Sequence, residues 1–348
     1  MKHVSESVEP VVIPKLPREL REKRLQELRL EAKSAAITQA QSRNELAPRA
    51  TPETGYYGNA LLKKPQWTKE IPLYFFCGGA AGAAAIIAAV AGKTGRHDSL
   101  ARDARAVAAI GGAISPALLI SDLGMPSRFL NMLRIFKVQS PMSVGSWTLV
   151  AFSSSSVAAA FLDLWRRQDA STIRTVWPLQ TASQFLSAIT GAVISTYTGV
   201  LLGATAIPVW NQNAGVLPIH FAVSGMAAAS ALLELRGHES PALNAIGIAT
   251  SLGETAVGAS IELRKNSALK PLKSGSSGWL TRIGGLLSGP VPLLFRLLAL
   301  AGDEKRSRRY KKIAAVSSVA GSLATRFAWT KAGAPSAEDT ALLLRNHS

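Results

Sequence analysis

The chain has 348 residues, 47% of them hydrophobic and only 18% charged, with a mean hydropathy of +0.17; an ordinary soluble domain carries about 25% charged residues. Thirty-nine Lys and Arg face 22 Asp and Glu, and this net charge of +17 sits in clusters between long apolar runs, which argues against a nucleic-acid partner and for a polytopic membrane protein whose basic loops meet lipid headgroups. The single cysteine, Cys77, excludes a disulfide framework and a Cys-ligated iron–sulfur cluster, and only His220 of the five histidines lies in an apolar segment, so no bound metal or haem is expected in this chain.

Residues 1–55 form a basic polar N-terminal tail, partly helical or disordered, in which "PRELREKRLQELRLEAKSAAITQAQSR" reads as a short amphipathic helix. The start of the chain lacks the apolar core of a signal peptide. Residues 56–332 hold eight predicted spans, at about Ile71–Gly92, Ala104–Leu123, Val144–Trp165, Leu179–Ile207, Val216–Leu235, Ala242–Leu263, Leu280–Ala301 and Ile313–Trp329. Each is close to the twenty or so residues that a helix needs to cross a bilayer. The seventh is the weakest, because Gly289, Pro290 and Pro292 interrupt it and Arg296 charges it. Residues 333–348 read as a C-terminal tail. The predicted fold is all-α, a bundle of eight transmembrane helices with both termini on one side.

Runs such as "GGAAGAAA" and "GMAAAS" allow the close helix contacts typical of membrane interfaces. The seven tryptophans fall near predicted span ends and read as an aromatic belt. Sidedness is contradictory. Thirteen Lys and Arg before the first span argue for a cytoplasmic N-terminus, yet the loops would then hold eight Lys and Arg inside and fourteen outside.

The connector "SDLGMPSRFLNMLRIFKVQSPMSVGSW", Ser121–Trp147, is too long for a simple hairpin loop. It has an amphipathic core, with Phe129, Met132, Leu133 and Phe136 at helical spacing. Arg128, Arg134 and Lys137 are expected to face lipid headgroups or a partner subunit.

This connector resembles the one between the second and third helices of the NrfD-type membrane subunits, the family of the polysulfide reductase membrane anchor. That family's pattern is roughly D-L-G-R-P-x-R-F followed by S-P-M-S-x-G-x-W; here Met125 stands where the family commonly has Arg. "TGYYGNALLKKPQWTKEIPLYFFCGGAAGA", "YTGVLLGATAIPVWNQNAGVLPIHFAVSGMA" and "AGAPSAEDT" resemble other stretches of the family, in the same order, over roughly residues 54–340. The resemblance implies a quinone-interacting integral membrane subunit in a bacterial inner (plasma) membrane. It would bind menaquinone or ubiquinone and exchange electrons with a ferredoxin-like [4Fe–4S] subunit, which connects to a molybdopterin catalytic subunit. A secondary transporter and a purely structural membrane anchor are the alternatives.

A quinone site needs donors for two ring oxygens and a route for protons within an apolar pocket. Ionisable residues inside a membrane are costly and mark functional sites. The candidates for quinone binding are Tyr197, which matches a pocket tyrosine of the resembled family, with Glu70 and Tyr74 at the entry to the first span and Asp122. Asp122 has a second reading, as a cap of the connector helix or a partner of Arg128. Glu254, in mid-span, and His220 are candidates for a proton relay, against a buried hydrogen bond or a structural histidine. Asp163, Glu234 and Glu262 are expected to pair with Arg166, Arg236 and Arg264, and Arg326 to snorkel.

Overall fold

A computed structural model describes residues 62–94, 98–168 and 173–339, together with Lys23, Gln26, Glu27, Leu30 and Glu31, which are helical. The rest of the expected N-terminal tail and residues 340–348 lie outside the described residues. Among these residues there is no strand. Nine helices carry the fold: α1 (Glu70–Thr94), α2 (Asp98–Asp122), α3 (Pro141–Gln168), α4 (Ile173–Gly203), α5 (Leu217–Leu235), α6 (Pro241–Leu263), α7 (Gly275–Ser288), α8 (Pro290–Ala301) and α9 (Glu304–Glu338).

The helices form two four-membered groups. In the first, α1 packs on α2 and α4, and α3 packs on α2 and α4. In the second, α5, α6, the α7–α8 pair and α9 pack in the same manner, and α1 joins the groups by lying against α5 and α9. The sequence of α1 accounts for this central place. It is apolar all round, as a helix surrounded by others must be, and small enough in its middle to be approached closely. A Cβ built on Gly82 would stand 2.3 Å from the carbonyl oxygen of Gly191 on α4. Only glycine lets these two backbones meet, which is how membrane helices gain dispersion contacts where no hydrophobic effect separates them from lipid.

Six segments are long and apolar enough to cross a membrane: α1 through α5, and the α7–α8 pair taken as one. The break expected in the seventh predicted span is present, at Gly289–Pro290 between α7 and α8. The two long helices outside this set are α6 and α9, which correspond to the sixth and eighth predicted spans. Their polar residues lower the mean apolarity but turn inward. Thr250, Ser251 and Glu254 of α6 are buried, as are Ser317, Ser318, Ser322 and Arg326 of α9. Helix α9 starts earlier than the predicted span, at Glu304, and runs on to Glu338.

Two tryptophans depart from the belt expected for all seven. Trp210 and Trp329 are buried, and the indole Nε1 of Trp210 donates to the Trp329 carbonyl oxygen at 2.8 Å. Trp147, Trp165, Trp177 and Trp279 are exposed. Trp67, in the segment that leads into α1, stacks on Trp210 with ring centroids 4.9 Å apart and 12° between planes.

The connector holds a helix of five residues, Arg128–Met132. Phe129 is buried and Met132 and Leu133 are half-buried, while Phe136 is exposed and meets Trp147 edge-on. The helical spacing therefore fails at its last member, because the chain turns after Met132. Arg128, Arg134 and Lys137 are all exposed.

Candidate functional site

Helix pairing brings the start of α1, the end of α2, the start of α3 and the end of α4 to one end of the bundle. Asp122, the last residue of α2, accepts two hydrogen bonds on Oδ1, from the Thr68 amide at 3.1 Å and the Thr68 hydroxyl at 2.5 Å. This replaces the expected cap or pairing with Arg128: Asp122 straps the segment before α1 to the end of α2. Glu70 is half-buried in the first turn of α1, where a carboxylate is favoured by the helix dipole. Tyr74, one turn further, is buried.

Tyr197 on α4 is also buried, and its hydroxyl donates to the carbonyl oxygen of Pro141, the first residue of α3. Its ring fills the space beside Gly145 on α3, where a Cβ would stand 2.1 Å from a ring carbon. The four predicted quinone residues thus share one end of the first helix group. The Tyr197 hydroxyl is taken up by a backbone carbonyl.

A cleft with about 710 Å³ of empty space opens beside Thr68, between the start of α1 and helices α7 and α9. Trp67, Pro72, Leu280 and Phe327 give it apolar walls, and Lys69 and Lys331 give it cationic ones. Pro72 and Tyr74 are two residues apart on α1 and so point to different sides; the cleft lies across α1 from the tyrosines. Sequence reasoning missed Phe327 and Lys331, which only the packing of α9 against α1 brings to this place.

A second polar group lies within the other half of the bundle. Trp329 Nε1 donates to His220 Nδ1 at 3.3 Å, and His220 Nε2 lies 3.2 Å from Glu254 Oε2. An indole nitrogen can only donate, so the neutral imidazole carries its proton on Nε2 and donates it to Glu254. The Ser288 hydroxyl donates to the same Oε2 at 2.8 Å. The break after Ser288 ends α7 at the depth where this bond forms. The two predicted relay residues, 34 positions apart, are direct neighbours.

Arg326, expected to snorkel, is fully buried beside them. Its Nη2 donates to the Phe221 carbonyl at 2.7 Å, and its guanidinium lies 3.8 Å from the centre of the Phe221 ring. A desolvated cation over an aromatic face is stabilised by the ring quadrupole. The nearby Glu254 supplies the opposite charge. No sequence signal marked this arginine as internal, apart from the serines that share its helix.

The expected interfacial ion pairs are partly redrawn. Asp163 is buried and binds Arg166 as expected, but also Arg167 and Arg105, the last reaching from α2 with Nη1 at 3.0 Å. Glu234 pairs with Arg296 rather than Arg236: both guanidinium Nη atoms lie 2.7 Å from the two carboxylate oxygens, and Arg296 is fully buried. Arg236 instead meets Asp103, and Glu262 meets Arg282 rather than Arg264. For Glu234 a partner from another helix displaces the sequence neighbour, and for Asp163 one adds to it, because a buried charge needs a partner on the side facing the bundle. Among the described residues no three His, Cys, Asp or Glu side chains form a group that could hold a metal ion.

No curated protein matches the chain. The family model for polysulphide reductase, NrfD, matches residues 63–329, from the segment that carries Trp67 and Thr68 to the tryptophan that holds His220. That match covers well over half of the chain and both helix groups, and with it the chain belongs to the polysulphide reductase NrfD family.

Proposed function

We propose that this chain is the quinone-interacting subunit of its complex and exchanges electrons between the quinone pool and a ferredoxin-like [4Fe–4S] subunit, itself joined to a molybdopterin catalytic subunit. Its family makes it a membrane subunit of quinone-linked oxidoreductase complexes. The finer reading rests on one observation, the cleft beside Thr68. Its walls are apolar enough for a ring and tail, and Lys69 and Lys331 offer donors to ring oxygens.

A bound quinol supplies two electrons and two protons on oxidation. Two carboxylates are at hand to accept protons. Glu70 stands next to Lys69, and Asp122 is reached through the Thr68 hydroxyl. Tyr74 and Tyr197 lie behind α1 in this reading and shape the wall that α1 rests on. His220 and Glu254 would carry protons deeper in the bundle, and exposed Arg128, Arg134 and Lys137 would meet headgroups or the iron–sulfur subunit.

We further propose eight crossings, with α6 and α9 added to the six apolar segments, in a bacterial plasma membrane. The inward burial of Glu254 and Arg326 supports this, since neither charge then faces lipid.

The test is to fill the cleft. Ala334→Phe on α9 places a ring where the quinone ring is proposed, on a half-buried wall residue. Quinol-dependent reduction of the iron–sulfur partner should fall at least tenfold in the assembled complex. A rate equal to that of the unaltered complex would remove the quinone from this cleft.

A further inference from the structure

Helices α6 and α7 leave a gap between them. It holds about 760 Å³ of empty space and is lined by Thr255, Gly258 and Ala259 of α6 and by Thr281, Gly285 and Leu286 of α7. A Cβ built on Gly258 or on Gly285 would meet nothing within 4 Å, so neither glycine brings the helices together. Glu262 and Arg282 line one end of this cleft, and Glu254 and Pro290 the other. From Glu254 to Glu262 is about 12 Å along the axis of α6. One leaflet of a bilayer's hydrocarbon core is about 15 Å deep. The deep end is apolar in spite of Glu254. Its Oε2 is held by His220 and Ser288 and its Oε1 is shielded, so it gives the cleft its alkyl stem.

The outer end is basic. From Leu263 to Ser288 the chain carries Arg264, Lys265, Lys270, Lys273 and Arg282 and no acid. Lys273 is spent on the Glu262 and Arg264 carbonyl oxygens, at 2.8 and 2.7 Å. Arg264, Lys265 and Lys270 are exposed. Arg282 gives Nε to Glu262 Oε1 at 3.0 Å, while its Nη groups have no acceptor among the described residues. A guanidinium with free Nη groups suits a phosphate. Trp279, three residues earlier and so on the same side of α7, is exposed, as tryptophans at headgroup level are. The cleft is thus an apolar slot about one leaflet deep with cations at its mouth. A neutral helix of a partner subunit would fill the slot and leave the cations uncompensated. An acyl chain with an anionic headgroup matches both ends.

We infer that the α6/α7 cleft is a site for one anionic phospholipid, with an acyl chain between Gly258 and Gly285 and the phosphate on Arg282. Arg264, Lys265 and Lys270 add attraction for the headgroup. Glu262 has two opposed effects. Its acceptor holds Arg282 in place, and its charge repels the phosphate. The site rests on the crossing of α6 proposed above and is independent of the quinone.

The test titrates the intact, delipidated complex in detergent with phosphatidylglycerol and counts retained lipid by native mass spectrometry. Phosphatidylcholine with the same acyl chains is the neutral control. The unaltered complex should hold phosphatidylglycerol in this cleft at least tenfold more tightly than phosphatidylcholine. Gly258→Leu and Gly285→Leu place a side chain in open space, so the helices keep their packing while the slot fills, and each should lose one tightly held phosphatidylglycerol. Arg282→Gln should weaken that lipid at least tenfold. Glu262→Gln keeps the acceptor for Arg282 and removes the repelling charge, so it should tighten the lipid severalfold, a change that a merely structural ion pair would not give. Leu286→benzoylphenylalanine, at the exposed rim, should cross-link to phosphatidylglycerol on illumination. The inference is wrong if both leucine variants keep the lipid, if phosphatidylcholine binds as tightly, or if the cross-link captures a subunit of the complex instead. A failed crossing is read separately. In a Cys77→Ala background, a membrane-impermeant thiol reagent should label Glu239→Cys and Lys265→Cys from opposite sides; labelling from one side would remove α6 from the membrane and the lipid site with it.

Discussion

Trp329 donates to His220 Nδ1 at 3.3 Å, and that bond decides which nitrogen of the histidine carries the proton toward Glu254. Removing the donor should unlock the tautomer. In Trp329→Phe the Nδ1 acceptor is left buried and unpaired, at a cost of about 1–3 kcal/mol. We expect a lower thermal midpoint in detergent. With ¹⁵N-histidine labelling we expect a single Nε2-protonated signal for His220 in the native chain and a mixture in the variant. A single unchanged signal would mean that Glu254 alone sets the tautomer.

The Glu234–Arg296 pair is buried and two-pronged, with Asn244 Oδ1 as a further acceptor at 3.2 Å. Breaking such a pair leaves an uncompensated charge and costs roughly 3–5 kcal/mol, whereas replacing both partners by apolar residues is often neutral. Glu234→Leu alone should therefore unfold at markedly lower temperature, and Glu234→Leu with Arg296→Met should recover most of the loss. Additive losses in the two single variants and the double variant would show that the pair is not coupled.

Gly145 is the position at which a methyl group is least tolerable on α3, since the Tyr197 ring occupies its place. Gly145→Ala should cost about 1–3 kcal/mol through overpacking. Tyr197→Phe, which removes only the hydroxyl bond to Pro141, should cost about 1 kcal/mol. Combining Gly145→Ala with Tyr197→Leu should restore stability by removing the clash. Thermal unfolding of the purified chain ranks the three; a milder effect for Gly145→Ala than for Tyr197→Phe contradicts the packing described.

The connector gives a contrast between neighbours. Phe129→Asp buries a charge and should lower the yield of folded chain severalfold. Phe136→Asp changes an exposed ring and should leave folding intact while weakening membrane or partner attachment at the headgroup level. Equal folding yields for the two variants would remove the distinction.

The eight crossings proposed above would put both termini on one side. Reporter fusions at Lys2 and Ser348 should give matching signals. Opposite signals would mean that α6, α9 or the α7–α8 pair does not cross.

How much of this could be read from sequence varies with the distance between partners. Apolar runs of span length placed α1 to α5, and Gly289–Pro290 marked the break between α7 and α8. Asp163 with Arg166 was legible because three-residue spacing brings helix neighbours together. The Arg105 arm of that cluster and the Glu234–Arg296 pair were not, because their partners lie on other helices. Arg326 misled for a related reason: an arginine in a membrane helix has two ways to avoid lipid, outward to the headgroups or inward to a carboxylate and an aromatic ring, and periodicity does not choose between them. Trp210 looked interfacial by its position near a span end, yet it packs inward because Gly333 on α9 leaves room for its ring. At the site, Asp122 was legible as a polar residue of interest, but its link to Thr68 was not, since that bond crosses from one helix end to the lead-in of another.

The stack of Trp67 on Trp210 has a consequence for biogenesis. The segment before α1 leaves the ribosome ahead of every span, yet its ring partner is made only after four helices have followed. Docking of that segment must therefore be staged. Asp122 can catch Thr68 once α2 is inserted, and Trp210 closes over Trp67 only later, when α4 has turned back toward α5. The walls that Leu280 on α7 and Phe327 and Lys331 on α9 give the cleft beside Thr68 come later still, so a chain truncated before residue 210 would hold its first four helices with that cleft open.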